Sequence, residues 1–274
     1  MRNFLRRISA AALCVLTLAA TALFSHGAAA TEADSEIIAV SAETIEENGF
    51  SNAVQNALDS ARLAANDKNP VTVRVESGNY VSEHALHIFD NTILDLRSVT
   101  VVRKNRGNMI RVGSEDSVNE GATGYLYRNI TLLGGTLDGN AGYNTMIKVA
   151  HAADFSMDGV TMKNEKGGHM MEVAGVDGFT ARGCVFKDQV LPVGEVGYEA
   201  IQFDILHPSH MVNCRVEDLN MRNILVENCT FENIPRGVGT HTGVLNKDNR
   251  DRLGRNLCYR FVGKYQIAVQ GGCR

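Results

Sequence analysis

Tryptophan is absent from the 274 residues and only four prolines occur, while glycine is abundant at 26. That balance suits a turn-rich β protein and argues against a disordered chain. An excess of one charge is missing too: the net charge is −4, and no tract is basic enough to read as a nucleic-acid partner. No Cys/His spacing matches a zinc site, so no metal ligand set is assigned. Beyond Cys14 the cysteines are Cys184, Cys214, Cys229, Cys258 and Cys273, an odd number. Cys184 and Cys229 hold the same place in a repeat described below, so both are expected to point inward as small hydrophobes, with a disulfide as the alternative.

Residues 1–30 have the form of a signal peptide. Arg2, Arg6 and Arg7 precede an apolar run from Ala10 to Phe24, and Ala28-Ala29-Ala30 supplies small residues for cleavage. The run is short for a membrane span, although a retained anchor is the other reading. The mature protein is therefore expected to be secreted, with no stable membrane association.

One phrase is written four times between residues 129 and 233. The copies are Asn129-Ile-Thr-Leu-Leu-Gly-Gly-Thr-Leu-Asp-Gly139, Asp154-Phe-Ser-Met-Asp-Gly-Val-Thr-Met-Lys-Asn164, Gly178-Phe-Thr-Ala-Arg-Gly-Cys-Val-Phe-Lys-Asp188 and Asn223-Ile-Leu-Val-Glu-Asn-Cys-Thr-Phe-Glu-Asn233. Their second residues, Ile130, Phe155, Phe179 and Ile224, are spaced by 25, 24 and 45, the last being one coil plus an insertion or two coils. Within each copy apolar and polar residues alternate, the period of a strand, and a turn residue closes it. A second short strand follows each: Met146–Val149, Met170–Val173, Ala200–Asp204 and Gly237–His241. Short strands repeating at this period bury a face only when stacked, which predicts an all-β parallel β-helix.

The chain in order gives four segments. After the signal peptide, residues 31–47 read as a flexible acidic segment. Residues 48–245 form the β-helix domain, opened by a short capping helix over Phe50–Ala65 with Ser51 as its N-cap. Residues 246–274 are a basic tail without the repeat, either poorly ordered and truncated or simply native.

The amphipathic helix, Pro70-Val-Thr-Val-Arg-Val-Glu-Ser-Gly-Asn-Tyr80, the strand Asn91–Leu96 and Gly134-Gly-Thr-Leu-Asp-Gly-Asn140 together resemble the pectin-lyase-like superfamily, right-handed parallel β-helices. The last stretch is most similar to its polygalacturonase branch. The resemblance covers residues 48 to 245 and implies a substrate groove over the second strand of each coil. It implies no catalytic assignment, because the branch's Asn-Thr-Asp, Gly-Asp-Asp, Gly-His-Gly and Arg-Ile-Lys motifs are absent as units. Tyr198–Asp204 occupies the place of the first, with Glu199 where its Asp would be.

Aligning the second strands makes Ile147, Met171, Ile201 and Val238 an inward ladder. Lys148, Glu172, Gln202 and Gly239 then point outward, followed two residues on by Ala150, Ala174, Asp204 and His241. Thr145, His169, Glu199 and Arg236 stand just before each strand. Glu172, Glu199 and Asp204 are the candidate catalytic carboxyls, since glycoside hydrolysis needs one carboxylic acid and one carboxylate. Crowding raises the pKa of one of them, as a general acid requires. Lys148, His169, Gln202, Arg236 and His241 are the candidate substrate-binding residues, Arg236 and Lys148 suiting a uronate carboxylate. The insertion Leu206–Asn220 lies beside them. The expected function is hydrolysis of an acidic, uronic-acid-containing polysaccharide without a cofactor. Two alternatives use the same patch: a lyase performing β-elimination with Ca²⁺, or a non-catalytic glycan-binding surface protein.

Overall fold

A computed structural model describes residues 36–114, 123–191, 194, 198–206 and 219–240. The segment expected to be a signal peptide, the basic tail, His241, Cys214, Cys258, Cys273 and most of the Leu206–Asn220 insertion lie outside the described residues. The rest winds as a right-handed parallel β-helix, with every strand pairing to the next coil in parallel.

The coils have three faces. The first carries Leu86–Ile88, Ile110–Val112, the opening residues of Ile147–Asp158 and of Met171–Arg182, then Glu199–Asp204 and Arg236–Gly239. The second carries Glu36–Val40, Val71–Val75, Thr92–Asp95, Tyr127–Leu133, the closing residues of the two long strands, and Arg222–Glu227. The third stacks Gly78–Ser82, Val99–Arg103, Thr136–Asp138, Thr161–Lys163, Val185–Lys187 and Thr230–Glu232.

The repeat register predicted from the phrase is the register observed. Ile130, Phe155, Phe179 and Ile224 are successive partners on the second face. Phe179 pairs directly with Ile224, so the step of 45 residues is one coil carrying an insertion. Inside, Phe155 and Phe179 stack with centroids 5.8 Å apart, and Phe186 stacks on Phe231 at 5.1 Å. On the third face Asp138, Lys163, Lys187 and Glu232 form an outward row, with Lys163 Nζ 3.2 Å from Asp138 Oδ2.

Each phrase turns three corners where alternation alone suggests one. Its first, sixth and last positions fall in the left-handed region: Asn129, Asp154, Gly178 and Asn223 open the copies, Gly134, Gly159, Gly183 and Asn228 divide them, and Asn164, Asp188 and Asn233 close three of them. Most residues lose about 1–2 kcal/mol there, while Asn and Asp recover some through local hydrogen bonds. The corner side chains also tie coil to coil. Asn129 Nδ2 donates to Asn91 Oδ1 at 2.8 Å, and Asn233 Nδ2 to Asp188 Oδ1 at 2.8 Å.

Two readings at the N-terminal end are corrected. The segment taken as flexible up to residue 47 is ordered from residue 36: Glu36–Val40 pairs with Val71–Val75, and Ala42–Asn48 is a helix capped by Ser41 Oγ. The capping helix runs Phe50–Ala64, burying Phe50, Val54, Ala57, Leu58 and Ala61, but Ser51 is not its N-cap; Gly49 is. Ser51 is fully buried. Its hydroxyl donates to the His84 carbonyl at 3.1 Å and accepts the Glu83 N–H at 2.9 Å, fastening the helix to the corner that follows Gly78–Ser82. Cys184 and Cys229 are both buried and both free thiols, on neighbouring coils.

Asp95 makes the stack sensitive to acid. Burial acts to raise its pKa, but hydrogen bonds from Arg97 and Arg74 together outweigh this and hold it at about 2. A depressed folded pKa contributes stability that is complete above the unfolded value near 3.9 and is lost as pH falls toward 2. With both arginines half-exposed, solvent screening leaves about 1–2 kcal/mol of this. Asp95→Asn should remove that slope from urea midpoints measured between pH 5 and 2, while leaving the remaining acid sensitivity unchanged.

Candidate active site

The first face carries a polar column. Because side chains alternate along a strand and coils lie about 4.8 Å apart, like positions form straight rows. Lys148, Glu172, Gln202 and Gly239 are successive partners, as expected, over the inward ladder Ile147, Met171, Ile201 and Val238. The row extends two coils further toward the capping helix: His87 pairs with Arg111, and Arg111 with Lys148. The column therefore reads His87, Arg111, Lys148, Glu172, Gln202, Gly239, with Arg111 and Lys148 as its cations and Glu172 as its carboxylate.

The three candidate carboxyls are all buried, with Glu172 8%, Glu199 3% and Asp204 2% exposed. Lys148 Nζ lies 2.9 Å from Glu172 Oε2. Asp204 accepts from Gln202 Nε2 and, at 3.2 Å, from Thr240 Oγ1. Glu199 accepts from Arg236 Nη1 at 3.2 Å and has His169 Nδ1 3.6 Å from its Oε2. That imidazole also donates from Nδ1 to the Glu199 main-chain carbonyl at 3.1 Å, and the Tyr198 ring meets it edge-on at 5.3 Å.

Glu199 reaches the column because Gly239 has no side chain. A Cβ on Gly239 would stand 2.5 Å from Glu199 Cγ and 3.0 Å from its Oε1. The Glu199 stem thus occupies the vacant place in the row, beside Gln202. Gly239→Ala should push Glu199 out of that place and lower stability, because the atom it meets first is a stem carbon of a buried, ion-paired side chain. A lowered melting temperature, together with a changed Arg236–Glu199 geometry in a crystal structure, checks this; an undisturbed Glu199 would refute it.

Ala150 and Ala174 do point outward, but they are covered. Leu206 and Leu219, the two stems of the insertion, form an antiparallel bridge and pack on these alanines. They make a wall along one side of the column. Along the N-terminal half runs a cleft of about 570 Å³ whose lining includes His84, His87, Arg106, Asn108, Arg111 and Lys148.

The structure thus brings Lys148, Glu172, Gln202, Asp204, Glu199, His169 and Arg236 to one face, while His241 lies outside the described residues. Lys148 and Arg236 are each engaged by a glutamate. His87 and Arg111 were missed, although a signal exists. Leu86-His-Ile and Ile110-Arg-Val are one 24-residue period apart, and Ile147-Lys-Val repeats their apolar–cation–apolar form.

Neither a family model nor a curated protein matches the chain. Among solved structures it is similar to PfbA, a surface adhesin of Streptococcus pneumoniae, with a TM-score of 0.60 at 18% identity over 76% of this chain and 53% of that one. A second PfbA structure gives 0.57 at 17% identity over 76% and 58%. A glycosyl-hydrolase-like protein of Parabacteroides merdae gives 0.48 at 12% identity over 75% and 89%. The chain spans about half the length of the adhesin chains it matches. The fold these structures share with the chain is the right-handed parallel β-helix. Among the described residues, no helix is long and apolar enough to cross a membrane.

Proposed function

We propose that the chain is a secreted carbohydrate-active protein that hydrolyses an acidic polysaccharide, with Glu172 and Glu199 as the reacting carboxyls. The observation that carries this reading is the lodging of Glu199 over Gly239, which adds a third buried carboxyl to a row already holding Glu172 and, through Gln202, Asp204. One glutamate gives its proton to the departing glycosidic oxygen, and the other takes a proton from the attacking water. Lys148 and Arg236 hold the two glutamates in place. Asp204, fixed by Gln202 and Thr240, is set to accept a sugar hydroxyl.

Glu199 belongs to the strand next to that of Glu172, and its stem lies over Gly239, two coils from Glu172. The anomer first released reports the separation of the two carboxyls: inversion for a pair about 6.5–9.5 Å apart, retention for one about 5 Å apart. The test is a panel of polyuronates and sulfated galactans, read for reducing ends, for unsaturated ultraviolet-absorbing products, and by NMR for the anomer first released. Reducing ends are expected. Unsaturated products would replace hydrolysis by β-elimination. No product from any member, with Glu172→Gln indistinguishable from wild type, would leave a glycan-binding protein.

A further inference from the structure

We propose that the cleft at the N-terminal end of the column is an oxyanion subsite, with Arg111 as the residue that grips a carboxylate or sulfate ester carried by an acidic saccharide. The inference rests on the groove reading above, but not on catalysis. Arg111 is 7% exposed, lines the 570 Å³ cleft, and has no hydrogen bond or ion pair among the described residues. It is the exception in its own row. Lys148 is paired with Glu172, and Gln202 donates to Asp204. Another buried guanidinium lining the cleft, Arg103, is consumed by main-chain carbonyls.

Most of the Arg111 side chain is buried, but its guanidinium nitrogens keep access to the cleft, so an arriving oxyanion meets a charge that no acidic side chain among the described residues pairs with. The neighbours favour an oxyanion. His87 stands one coil away and donates from Nδ1 to the Gly113 carbonyl at 2.8 Å, which leaves Nε2 as the ring's remaining polar atom. Lys148 stands one coil to the other side. Arg106 forms part of the same wall, its guanidinium 5.4 Å from the Tyr143 ring centroid. Among the described residues Glu83 is the one acidic residue in the lining, and its carboxylate accepts the Ser51 N–H of the capping helix at 3.3 Å. A planar guanidinium matches an oxyanion with two parallel N–H bonds, which no lysine reproduces. Arg111 lies about 9.6 Å from Glu172 along the row, so a saccharide held here continues directly into the carboxyl end of the groove.

Calorimetric titration tests this with three ligands of equal length: an oligogalacturonate, a sulfated galactan oligomer and a neutral galactan oligomer. Wild type and Glu199→Gln should bind at least one anionic ligand more tightly than the neutral one, and more weakly at high salt. Arg111→Gln should weaken that binding about 10- to 100-fold and leave neutral binding unchanged. Which of the two anionic ligands loses affinity tells whether carboxylate or sulfate ester is read. Arg111→Lys should recover only part of the loss. Stability gives the second readout: Arg111→Gln breaks no hydrogen bond or ion pair among the described residues, so the melting temperature should stay within a few degrees of wild type, whereas a structural arginine would lower it. Equal affinities for Arg111→Gln and wild type, no binding of either anionic ligand, or a collapse in melting temperature would each overturn the proposal. Because Glu199→Gln is carried through the titration, absent hydrolysis would sink the enzymatic reading and leave this subsite standing.

Discussion

Glu199→Gln is expected to lower kcat/KM on the preferred polysaccharide by about 10²- to 10⁴-fold, the loss typical of removing a general acid or base. The substitution is nearly isosteric. The amide oxygen still accepts from Arg236 Nη1, and the stem still fills the space over Gly239. Melting should therefore stay within a few degrees of wild type, so lost activity reports chemistry and not folding. Glu172→Gln should cost a similar factor, and the double variant much less than the product of the two, because the pair acts as a unit. A loss below tenfold in a well-folded Glu199→Gln protein would remove this glutamate from the reaction.

Arg103→Met should destabilise the fold by about 3–5 kcal/mol, the effect of deleting one partner from a buried charged network. Arg103 is 3% exposed. Its Nε donates to the Gly139 carbonyl at 3.1 Å, its Nη1 to those of Gly107 at 3.1 Å and Asn144 at 2.7 Å, and its Nη2 to that of Gly142. Burial lowers the Arg103 pKa, while the charges of Glu165 and Asp138 act in the opposite direction. Methionine fills similar volume but removes the donor from four carbonyls, of which those of Gly139 and Gly142 keep the N–H groups of Gly142 and Lys166, and it leaves the fully buried Glu165 without that counter-charge. Urea melts at neutral pH measure the loss, and a change under 1 kcal/mol would mean that water replaces the guanidinium freely. Gly107 and Asn144 also border the cleft, so anion affinity should fall with stability in this variant.

How much of this could be read in the sequence depended on whether a residue announces itself by its own chemistry. The row Lys148, Glu172, Gln202, Gly239 was legible because the repeat phrase fixes its own period, and a parallel stack has no freedom to slip without exposing Ile147, Met171 and Ile201. His87 and Arg111 were hidden by spacing. Ile110 and Ile147 are 37 residues apart, not 24, and no full phrase precedes them to carry the register across. The approach of Glu199 to the column was invisible for another reason: it depends on Gly239 contributing nothing, and an absent side chain leaves no pattern. Residues 36–48 misled because acidic residues dominate a short strand and helix whose order comes from pairing with Val71–Val75 and from Ser41.

The insertion between the third and fourth phrases leaves the winding undisturbed. Phe179 meets Ile224 as though the intervening chain were of ordinary length, and Leu206 and Leu219 rest on Ala150 and Ala174 through apolar contact. Such an appendage is modular. Recombination or drift could lengthen, shorten or replace it while the two leucines and two alanines persist, and the scaffold beneath would not register the exchange. On the function proposed above, preference for one glycan over another is then free to change with the proposed reacting groups untouched.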